Sequence, residues 1–341
     1  MKIEKNAQNP ILSPFLKNDW ESLAVLNPAV IYNEEDKLFH MFYRAAGNDE
    51  THYMYLGYAV SKDGVHFERQ SDSPIIEPDK NGADGGGVED PRIVKIEDYF
   101  YLTYASRVFA PGQYWKKDKK YYGFQPKAGP MVLNYNNTET HLAISKDLKN
   151  WKKLGRITDP KDDDRDVVIF PRAINGKFYR TSRPSARFGK EYPCATPSIW
   201  LTSSDDLLSW NEPLELFYEG QEDWESLKVG ASCPPFETSE GWIMIYHGVS
   251  KKDEIYRVGA FLLDKNNPMK ILARTKKPFM EPEFDYETKG FYNGCVFPTA
   301  NVIKDGIVYI YYGCADRFIG LATVKLSDLI AELKKEDNKC I

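Results

Sequence analysis

The chain has 341 residues, of which 42% are hydrophobic, 28% charged and 14% aromatic, and its formal net charge is −5. Charges of both signs are mixed along the sequence, so it has no basic tail or stripe that would indicate a nucleic acid as a partner. No apolar run has the length of a membrane span, and the polar start Met1–Pro10 lacks the apolar core of a secretory signal. The scattered cysteines form no CxxC pair. We therefore expect a cytoplasmic protein without a membrane partner.

A repeat organises most of the chain into five similar units. Each unit opens with a short apolar stretch that holds a proline, and a turn and an aromatic, strand-like run follow it. The units begin near residues 27, 89, 167, 230 and 296, and the second is about 17 residues longer than the others. One such unit is too small to bury both faces of its own sheet, so the units should pack radially. The sequence therefore predicts an all-β fold, a five-bladed β-propeller formed by a single domain over residues 1–341.

The first three units share an ending that predicts their outer strands. The segments Ala59–Phe67, Ala143–Trp151 and Leu201–Trp210 each place an Asp-containing turn before an aromatic residue. Such a turn predicts a hairpin into a fourth, outer strand. The endings of the fourth and fifth units, at Phe261–Leu272 and Leu321–Lys325, are weaker.

Two segments stand outside the repeat. The extra length of the second unit predicts an insertion loop at about 108–140, rich in Lys, Tyr, Gly and Pro. At the end of the chain, leucine and isoleucine recur at helical spacing, which predicts a short C-terminal helix over about 326–336 with Ser327 as its N-cap.

The segment Gly85–Arg92, with the sequence GGGVEDPR, is the first candidate for chemistry. Its three glycines permit a close approach of the backbone to a ligand. Asp90 then stands at the mouth of the second inner strand, where it could act as a general acid if burial or hydrogen bonding raises its pKa. A structural ion pair between Asp90 and Arg92 explains the spacing equally well.

Basic residues recur where the inner strands of a propeller would converge. Five basic residues and one acid occupy such positions: Arg44, Arg107, Arg165, Arg183, His247 and Asp316. So much positive charge near an axis needs a counter-anion, either carboxylate side chains or a bound phosphate, which arginine contacts bidentately. Lys228 could add to this charge, but we interpret it as a solvated loop lysine. The remaining histidines have no metal-ligand spacing, so no metal is expected.

Several separated motifs, in the same order, resemble glycoside hydrolase family 130, the β-mannoside phosphorylases and their hydrolytic relatives. They lie at Gly87–Arg92, Val168–Pro171, Ser182–Pro184, Val229–Ala231, Ile245–Val249 and Tyr312–Asp316. Two positions depart from the family pattern. Ser182 replaces the usual histidine before Arg-Pro, and Ser232-Cys233 stands where glycine and proline are typical.

The resemblance implies inverting phosphorolysis of β-manno-oligosaccharides, which gives α-mannose 1-phosphate and a shortened sugar. In that family the Asp of the Glu-Asp-Pro-Arg motif is the sole catalytic acid, so the role falls to Asp90, whose proton passes through a hydroxyl of the bound mannose. The residues that match the phosphate ligands are Arg165, Arg183 and His247. We expect contacts with the sugar from Arg44, Glu89, Arg107 and Asp316. Phosphate is then a co-substrate, and no organic cofactor is implied.

Alternatives remain open on the sequence alone. The insertion at 108–140 is either a lid over the leaving-group sugar, which favours β-1,2-linked substrates, or a surface loop. An inverting β-mannosidase acting on β-1,2-mannosides would need a second carboxylate, for which the run Asp162–Asp166 is a source. A non-catalytic glycan-binding propeller is a third hypothesis. The sequence does not specify the oligomeric state, and it is compatible with a homo-oligomer.

Overall fold

The computed structural model describes residues 1–113 and 136–340, so the centre of the predicted insertion, 114–135, lies outside the described residues. Over the described residues the chain forms mainly antiparallel β-sheets with little helix, and the all-β class predicted from the sequence is confirmed. The strands fall into five units, which we number in chain order.

The first strand of the chain is β1 (Glu4–Lys5). Unit 1 comprises β2 (Ala24–Asn33), β3 (Leu38–Ala46), β4 (Met54–Ser61) and β5 (Glu68–Arg69); unit 2 comprises β6 (Gly87–Ile96), β7 (Tyr99–Arg107), β8 (Glu139–Ser145) and β9 (Lys152–Arg156); unit 3 comprises β10 (Asp164–Arg165), β11 (Phe178–Pro184), β12 (Ile199–Ser204) and β13 (Glu215–Tyr218); unit 4 comprises β14 (Lys228–Ala231), β15 (Phe236–Thr238), β16 (Gly241–Val249), β17 (Tyr256–Leu263) and β18 (Ile271–Arg274); unit 5 comprises β19 (Val296–Lys304), β20 (Ile307–Cys314) and β21 (Phe318–Lys325). The helical segments are α1 (Asp285–Thr288), α2 (Leu326–Leu333) and 3-10 turns at Asp19–Glu21, Asp223–Glu225 and Glu336–Asn338.

The two ends of the strand order meet in unit 5. Strand β1 pairs with β21, with Glu4 opposite Thr323 and Lys5 opposite Ala322, so the start of the chain supplies the outer strand of the last unit. Units 1 and 2 are joined in one sheet by a single parallel pair, Met54 with Gly87.

The hydrophobic core lies between the units. Each of the five buried clusters takes its residues from two successive units, and one of them joins unit 5 back to unit 1. Strand β16 shows how the alternation of side chains produces this arrangement. Met244 and Tyr246 face the cluster shared with unit 3, whereas Ile243 and Ile245 face the cluster shared with unit 5. A strand buried on both faces therefore packs its unit against both neighbours.

In three units, a buried glutamate in the helical turn before the first strand accepts a hydrogen bond from a tyrosine of the long strand that pairs with it. In unit 4, the hydroxyl groups of Tyr218 and Tyr246 donate to the carboxylate of Glu225 at 2.6 and 2.9 Å. Gly259 lies opposite Tyr246, and a Cβ atom at that glycine would be 2.6 Å from the tyrosine ring. The glycine is therefore required for the ring to cover the neighbouring strand. Units 1 and 5 repeat this set with Glu21, Tyr43 and Gly57 and with Glu287, Tyr312 and Gly320.

The hairpins predicted at the ends of the first three units are present. In the turn after β4, the carboxylate of Asp63 accepts hydrogen bonds from the backbone N–H groups of Val65 and His66, both at 2.9 Å. Asp147 and Asp206 accept equivalent bonds in units 2 and 3. The aspartates fix these turns because their side chains replace a backbone partner.

The apolar opening of unit 3, Val167–Ile174, makes only isolated bridges, because Asp166 has φ +55° and Pro171 has no N–H to donate. The prediction for the C-terminal helix is wrong in two details. The N-cap of α2 is Lys325 and not Ser327, which lies inside the helix. The helix itself ends at Leu333, short of the predicted residue 336, and its Leu329 and Leu333 are fully buried against units 4 and 5.

Candidate active site

A cavity of about 600 Å³ receives side chains from every unit. All eight residues singled out from the sequence line it: Arg44, Glu89, Asp90, Arg107, Arg165, Arg183, His247 and Asp316. The sequence did not point to three further lining residues, Asn27, Tyr256 and Tyr292, and it offered two others, Asp166 and Lys228, only as part of an acidic run and as a loop lysine. The described ends of the insertion also contribute, through Pro111, Asn136 and Asn137.

Bulges in the inner strands aim side chains into this cavity. The register of β2 against β3 shifts between Leu26 and Ala29, and that of β6 against β7 shifts between Glu89 and Arg92. Asn27 and Asp90 sit in these bulges with φ of +46° and +48°. A bulge with a left-handed residue turns that residue out of the ordinary alternation of the strand. The two side chains consequently meet, and Asn27 Nδ2 donates to Asp90 Oδ1 at 2.7 Å.

Asp90 is held by arginines from two sides. Its Oδ1 atom lies 3.0 Å from Arg44 Nη1, while Arg92 donates to its backbone carbonyl at 2.6 Å and does not pair with its carboxylate. Burial would raise the pKa of the Asp90 carboxyl, but the charges of Arg44 and Arg92 and the hydrogen bond from Asn27 outweigh it and hold the pKa below its ordinary value. With these neighbours, Asp90 is ionised at neutral pH. The neighbours of Asp90 therefore do not give its carboxyl the raised pKa that was anticipated for a general acid.

Two more carboxylates accompany Asp90 at this end of the cavity. Glu89 lies 3.2 Å from Arg44 Nη1 and 3.4 Å from Arg107 Nε. Burial, reinforced by the charges of Asp90 and Glu89, raises the pKa of Asp316 to about 6, although Arg44 opposes the shift. We call this group of carboxylates, Glu89, Asp90 and Asp316, the acidic end of the cavity.

A second group of charged side chains in the cavity is basic and comes from units 3 and 4. Strands β10 and β11 place Arg165 and Arg183 directly opposite each other. Arg183 Nε donates to Asp166 Oδ2 at 2.5 Å, and Arg165 Nε donates to Asp163 Oδ1 at 2.9 Å. Over the described residues, the terminal nitrogens of Arg183 make no hydrogen bond, so they are available to a ligand. We call the group Arg165, Arg183, Lys228 and His247 the basic end.

Lys228 belongs to this basic end and is not the solvated loop lysine expected from the sequence. It starts β14, and its Nζ atom lies 4.9 Å from the centre of the Tyr256 ring. Burial, together with the charges of Arg183 and Arg165, lowers the pKa of Lys228 to about 8, although Asp166 opposes this effect. The lysine is therefore charged at neutral pH but close to losing its proton.

His247 completes the basic end as a neutral ring. It lies in β16, 99% buried, with its Nδ1 atom 3.1 Å from Ser232 Oγ and its Nε2 atom 3.6 Å from Asp166 Oδ2. Burial lowers the pKa of His247 to about 3, against the opposing charge of Asp166. A neutral imidazole has a single N–H to donate. Ser232, one of the departures from the family pattern, is thus in contact with the histidine.

Neither a metal site nor a membrane span is found in the described part of the chain. Over residues 1–113 and 136–340, no three His, Cys, Asp or Glu side chains are grouped so as to hold a metal ion. No helix in those ranges is both long and apolar enough to cross a bilayer.

Comparison with known proteins places the chain among mannoside-processing enzymes. A family model described as beta-1,4-mannooligosaccharide phosphorylase (Glyco_hydro_130) matches residues 2–120 and 132–335. A 1,2-beta-oligomannan phosphorylase of Thermoanaerobacter sp. strain X514 is 35% identical over 96% of this chain and 99% of its own length. A beta-1,2-mannobiose phosphorylase of the same strain is 34% identical over 95% of this chain and 97% of its own length.

A solved structure agrees with these sequence matches. The beta-1,2-mannobiose phosphorylase from Listeria innocua, in complex with beta-1,2-mannobiose, has a TM-score of 0.78 and 25% identity over 98% of this chain and 99% of that chain. The family match covers both ends of the cavity, from Asn27 to Asp316. The chain belongs to glycoside hydrolase family 130.

Proposed function

We propose that this protein is an inverting β-mannoside phosphorylase that converts β-1,2-linked manno-oligosaccharides and phosphate into α-mannose 1-phosphate and a shortened sugar. The observation that carries the proposal is that one cavity is lined both by carboxylates gathered about Arg44 and by basic side chains gathered about Asp166. A glycoside and an anionic nucleophile need these two environments side by side.

The basic end suits phosphate. Arg183 keeps its terminal nitrogens for a ligand while its Nε is fixed by Asp166, which orients the guanidinium plane. Arginine matches the oxygens of phosphate with parallel N–H groups, and Lys228 and His247 add a point charge and a neutral donor. We assign phosphate binding to Arg165, Arg183 and His247, together with Lys228.

The acidic end suits the mannose ring and its leaving group. We assign Asp90 as the acid and Arg44, Glu89, Arg107 and Asp316 as sugar contacts. A sugar hydroxyl that hydrogen-bonds to Asp90 in place of Arg44 would raise the pKa of the carboxyl by removing a positive charge from its side. This favours protonation of Asp90 when the substrate is in place, in agreement with a proton that passes through a mannose hydroxyl.

The reaction balances with these groups alone. The bond between the anomeric carbon and the leaving oxygen breaks, and a bond from that carbon to a phosphate oxygen forms on the opposite face. The leaving oxygen takes the proton of Asp90. Mannose 1-phosphate keeps the proton of hydrogen phosphate when it leaves. Because that proton is not returned to the carboxylate, Asp90 recovers its proton from solvent. Phosphate acts as a co-substrate, and no metal or organic cofactor takes part.

The arrangement of charges favours phosphorolysis over hydrolysis. An inverting hydrolase needs a second carboxylate that deprotonates water. Asp166 is the carboxylate at the basic end, but the charge of Arg183 helps to hold its pKa far below the ordinary value despite burial, which makes it a weak base. A non-catalytic sugar-binding protein would not need this set of cations.

The linkage is assigned from the relatives. The two with 34–35% identity are named for a 1,2-β-oligomannan and for β-1,2-mannobiose, whereas a β-1,4-mannooligosaccharide phosphorylase of Ruminococcus albus is 29% identical. The predicted lid at 108–140, which favours the same linkage, falls mainly outside the described residues.

We also propose that the five units are the blades of one propeller domain over residues 1–341. The cyclic series of clusters between units, the closure of unit 5 by β1 and the contribution of every unit to one cavity support this arrangement. The cysteines are free thiols, which suits the cytoplasm.

The proposal is tested by incubating the protein with β-1,2- and β-1,4-mannobiose, with and without phosphate, and following the products by NMR. We expect mannose 1-phosphate only when phosphate is present, and faster from the β-1,2-linked sugar. Free mannose released at the same rate without phosphate would make the protein a hydrolase.

A further inference from the structure

Asp166 is a buried carboxylate placed among the cations of the basic end. Its side chain is in contact with the cavity, yet the residue is only 7% exposed. Its Oδ2 atom is 2.5 Å from Arg183 Nε and 3.6 Å from His247 Nε2. Asp166 balances part of this positive charge, and an anion bound at the same site would also meet its negative charge.

The position of Asp166 is fixed by its backbone and its surroundings. Its φ of +55° turns it out of the strand direction, and its carbonyl accepts a hydrogen bond from Thr181 Oγ1 at 2.9 Å. A Cβ atom at residue 230 would lie 2.3 Å from Asp166 Oδ2 and 2.5 Å from His247 Cε1. Only glycine at this position leaves room for the carboxylate and the ring together.

One oxygen of this carboxylate is still able to accept a proton donor. Over the described residues Asp166 Oδ1 takes part in no hydrogen bond, and Arg92 Nη2 lies 3.7 Å from it. A carboxylate accepts several hydrogen bonds, and an oxyanion held by Arg183 would bring its own oxygens next to this one. An oxygen without a proton would then face a carboxylate and be repelled, whereas a P–OH group would donate to it.

We propose that Asp166 makes the anion site selective for a protonated oxyanion, hydrogen phosphate, over a fully deprotonated one such as sulfate. This role rests on the proposed binding of phosphate by Arg165, Arg183 and His247. The proton of the P–OH group stays on phosphorus-bound oxygen throughout the reaction, and a different oxygen attacks the sugar. Because the carboxylate of Asp166 is ionised, it is able only to accept in this contact.

Four tetrahedral anions test the proposal by direct binding, without any mannoside. Phosphate and arsenate keep a proton at mildly alkaline pH, where sulfate and selenate carry the same charge of two without one. Titration calorimetry of the intact protein with each anion therefore isolates the proton. We expect sulfate and selenate to bind on the order of 100-fold more weakly than phosphate and arsenate, the loss typical of a buried polar group left facing no donor.

The variant Asp166→Asn should reduce this preference to about tenfold or less, because its amide N–H is able to donate to a deprotonated oxygen. A purely structural role, as the holder of Arg183, would instead weaken all four anions by the same factor. Asp163→Asn is the matched control, since Asp163 pairs with Arg165 but does not line the cavity. It should leave the ratio between phosphate and sulfate unchanged.

The outcomes separate this role from the proposed function. Equal binding of sulfate and phosphate by the wild-type protein would overturn the selectivity even if Asp166→Asn failed to fold, while leaving the phosphate site intact. An unchanged ratio in a folded Asp166→Asn protein would also overturn it. Binding of none of the four anions would remove the phosphate site itself, and the role of Asp166 with it.

Discussion

Raising the pH should weaken the use of phosphate through the titration of Lys228. Burial and the neighbouring charges of Arg183 and Arg165 lower the pKa of this lysine to about 8. The lysine is cationic below that pH and becomes neutral as the pH rises through it. Since phosphate is a dianion over the alkaline part of this range, its binding should lose one favourable charge while its own charge hardly changes.

The size of the effect follows from the fraction of charged lysine. One pH unit above its pKa about one tenth of Lys228 keeps its proton, so kcat/KM for phosphate should fall about tenfold per unit. The value of kcat/KM stops falling once Lys228 is fully neutral, because its amine then makes only an uncharged contact with phosphate. A hydrogen bond to a charged group contributes about 1.5–3 kcal/mol, so the total loss should be about 10- to 150-fold.

The assay is the initial rate of mannose 1-phosphate formation at varied phosphate between neutral and strongly alkaline pH. Lys228→Arg is the matched control, because a guanidinium keeps its charge over the whole range, so its profile should keep only the fall caused by deprotonation of the acid Asp90 and should be less steep than that of the wild type. Lys228→Met should give a profile as shallow as that of Lys228→Arg, at a lower rate. If the wild-type and Lys228→Arg profiles fell together, the titrating group would be another residue and the assignment of Lys228 would be refuted.

Three further substitutions test the site. Asp90→Asn should lower kcat by roughly 100- to 10,000-fold in the phosphorolysis assay, because no proton is supplied to the leaving oxygen, and turnover close to that of the wild type would exclude Asp90 as the acid. Arg183→Ala should raise KM for phosphate far more than KM for the mannoside, and an equal rise in both would point to a general loss of structure. Gly230→Ala should destabilise the protein by about 1–3 kcal/mol in denaturant unfolding and raise KM for phosphate, because the Cβ atom of the alanine would lie 2.3 Å from Asp166 Oδ2. A fully stable variant with unchanged kinetics would contradict the tight packing around Gly230.

The sequence was sufficient to predict which strands approach the cavity. The lead prolines and the aromatic runs carry the repeat, and the residues beside them, such as Arg44, Asp90 and His247, line one cavity. The repeat also contains a second signal. The sequence Asp-Trp-Glu-Ser occurs at 19–22 and again at 223–226, and in both places it places a buried glutamate under a tyrosine.

What the sequence could not predict depends on contacts between distant units. Asp166 ends an acidic run that has the composition of a solvated loop, and only the packing of β11 and β16 against it makes it a buried partner of Arg183 and His247. The lowered pKa of Asp90 depends on Arg44 from another unit. Strand β1 has two residues, too few to show any periodicity, although it completes unit 5.

The most direct test of the account follows the oxygen that attacks the sugar. The protein is incubated with β-1,2-mannobiose and phosphate labelled with heavy oxygen, and the products are analysed by carbon and phosphorus NMR. We predict α-mannose 1-phosphate with the label in the oxygen that bridges carbon and phosphorus. Free mannose that carries an unlabelled oxygen from water, or a β-configured phosphate ester, would contradict inverting phosphorolysis in this cavity.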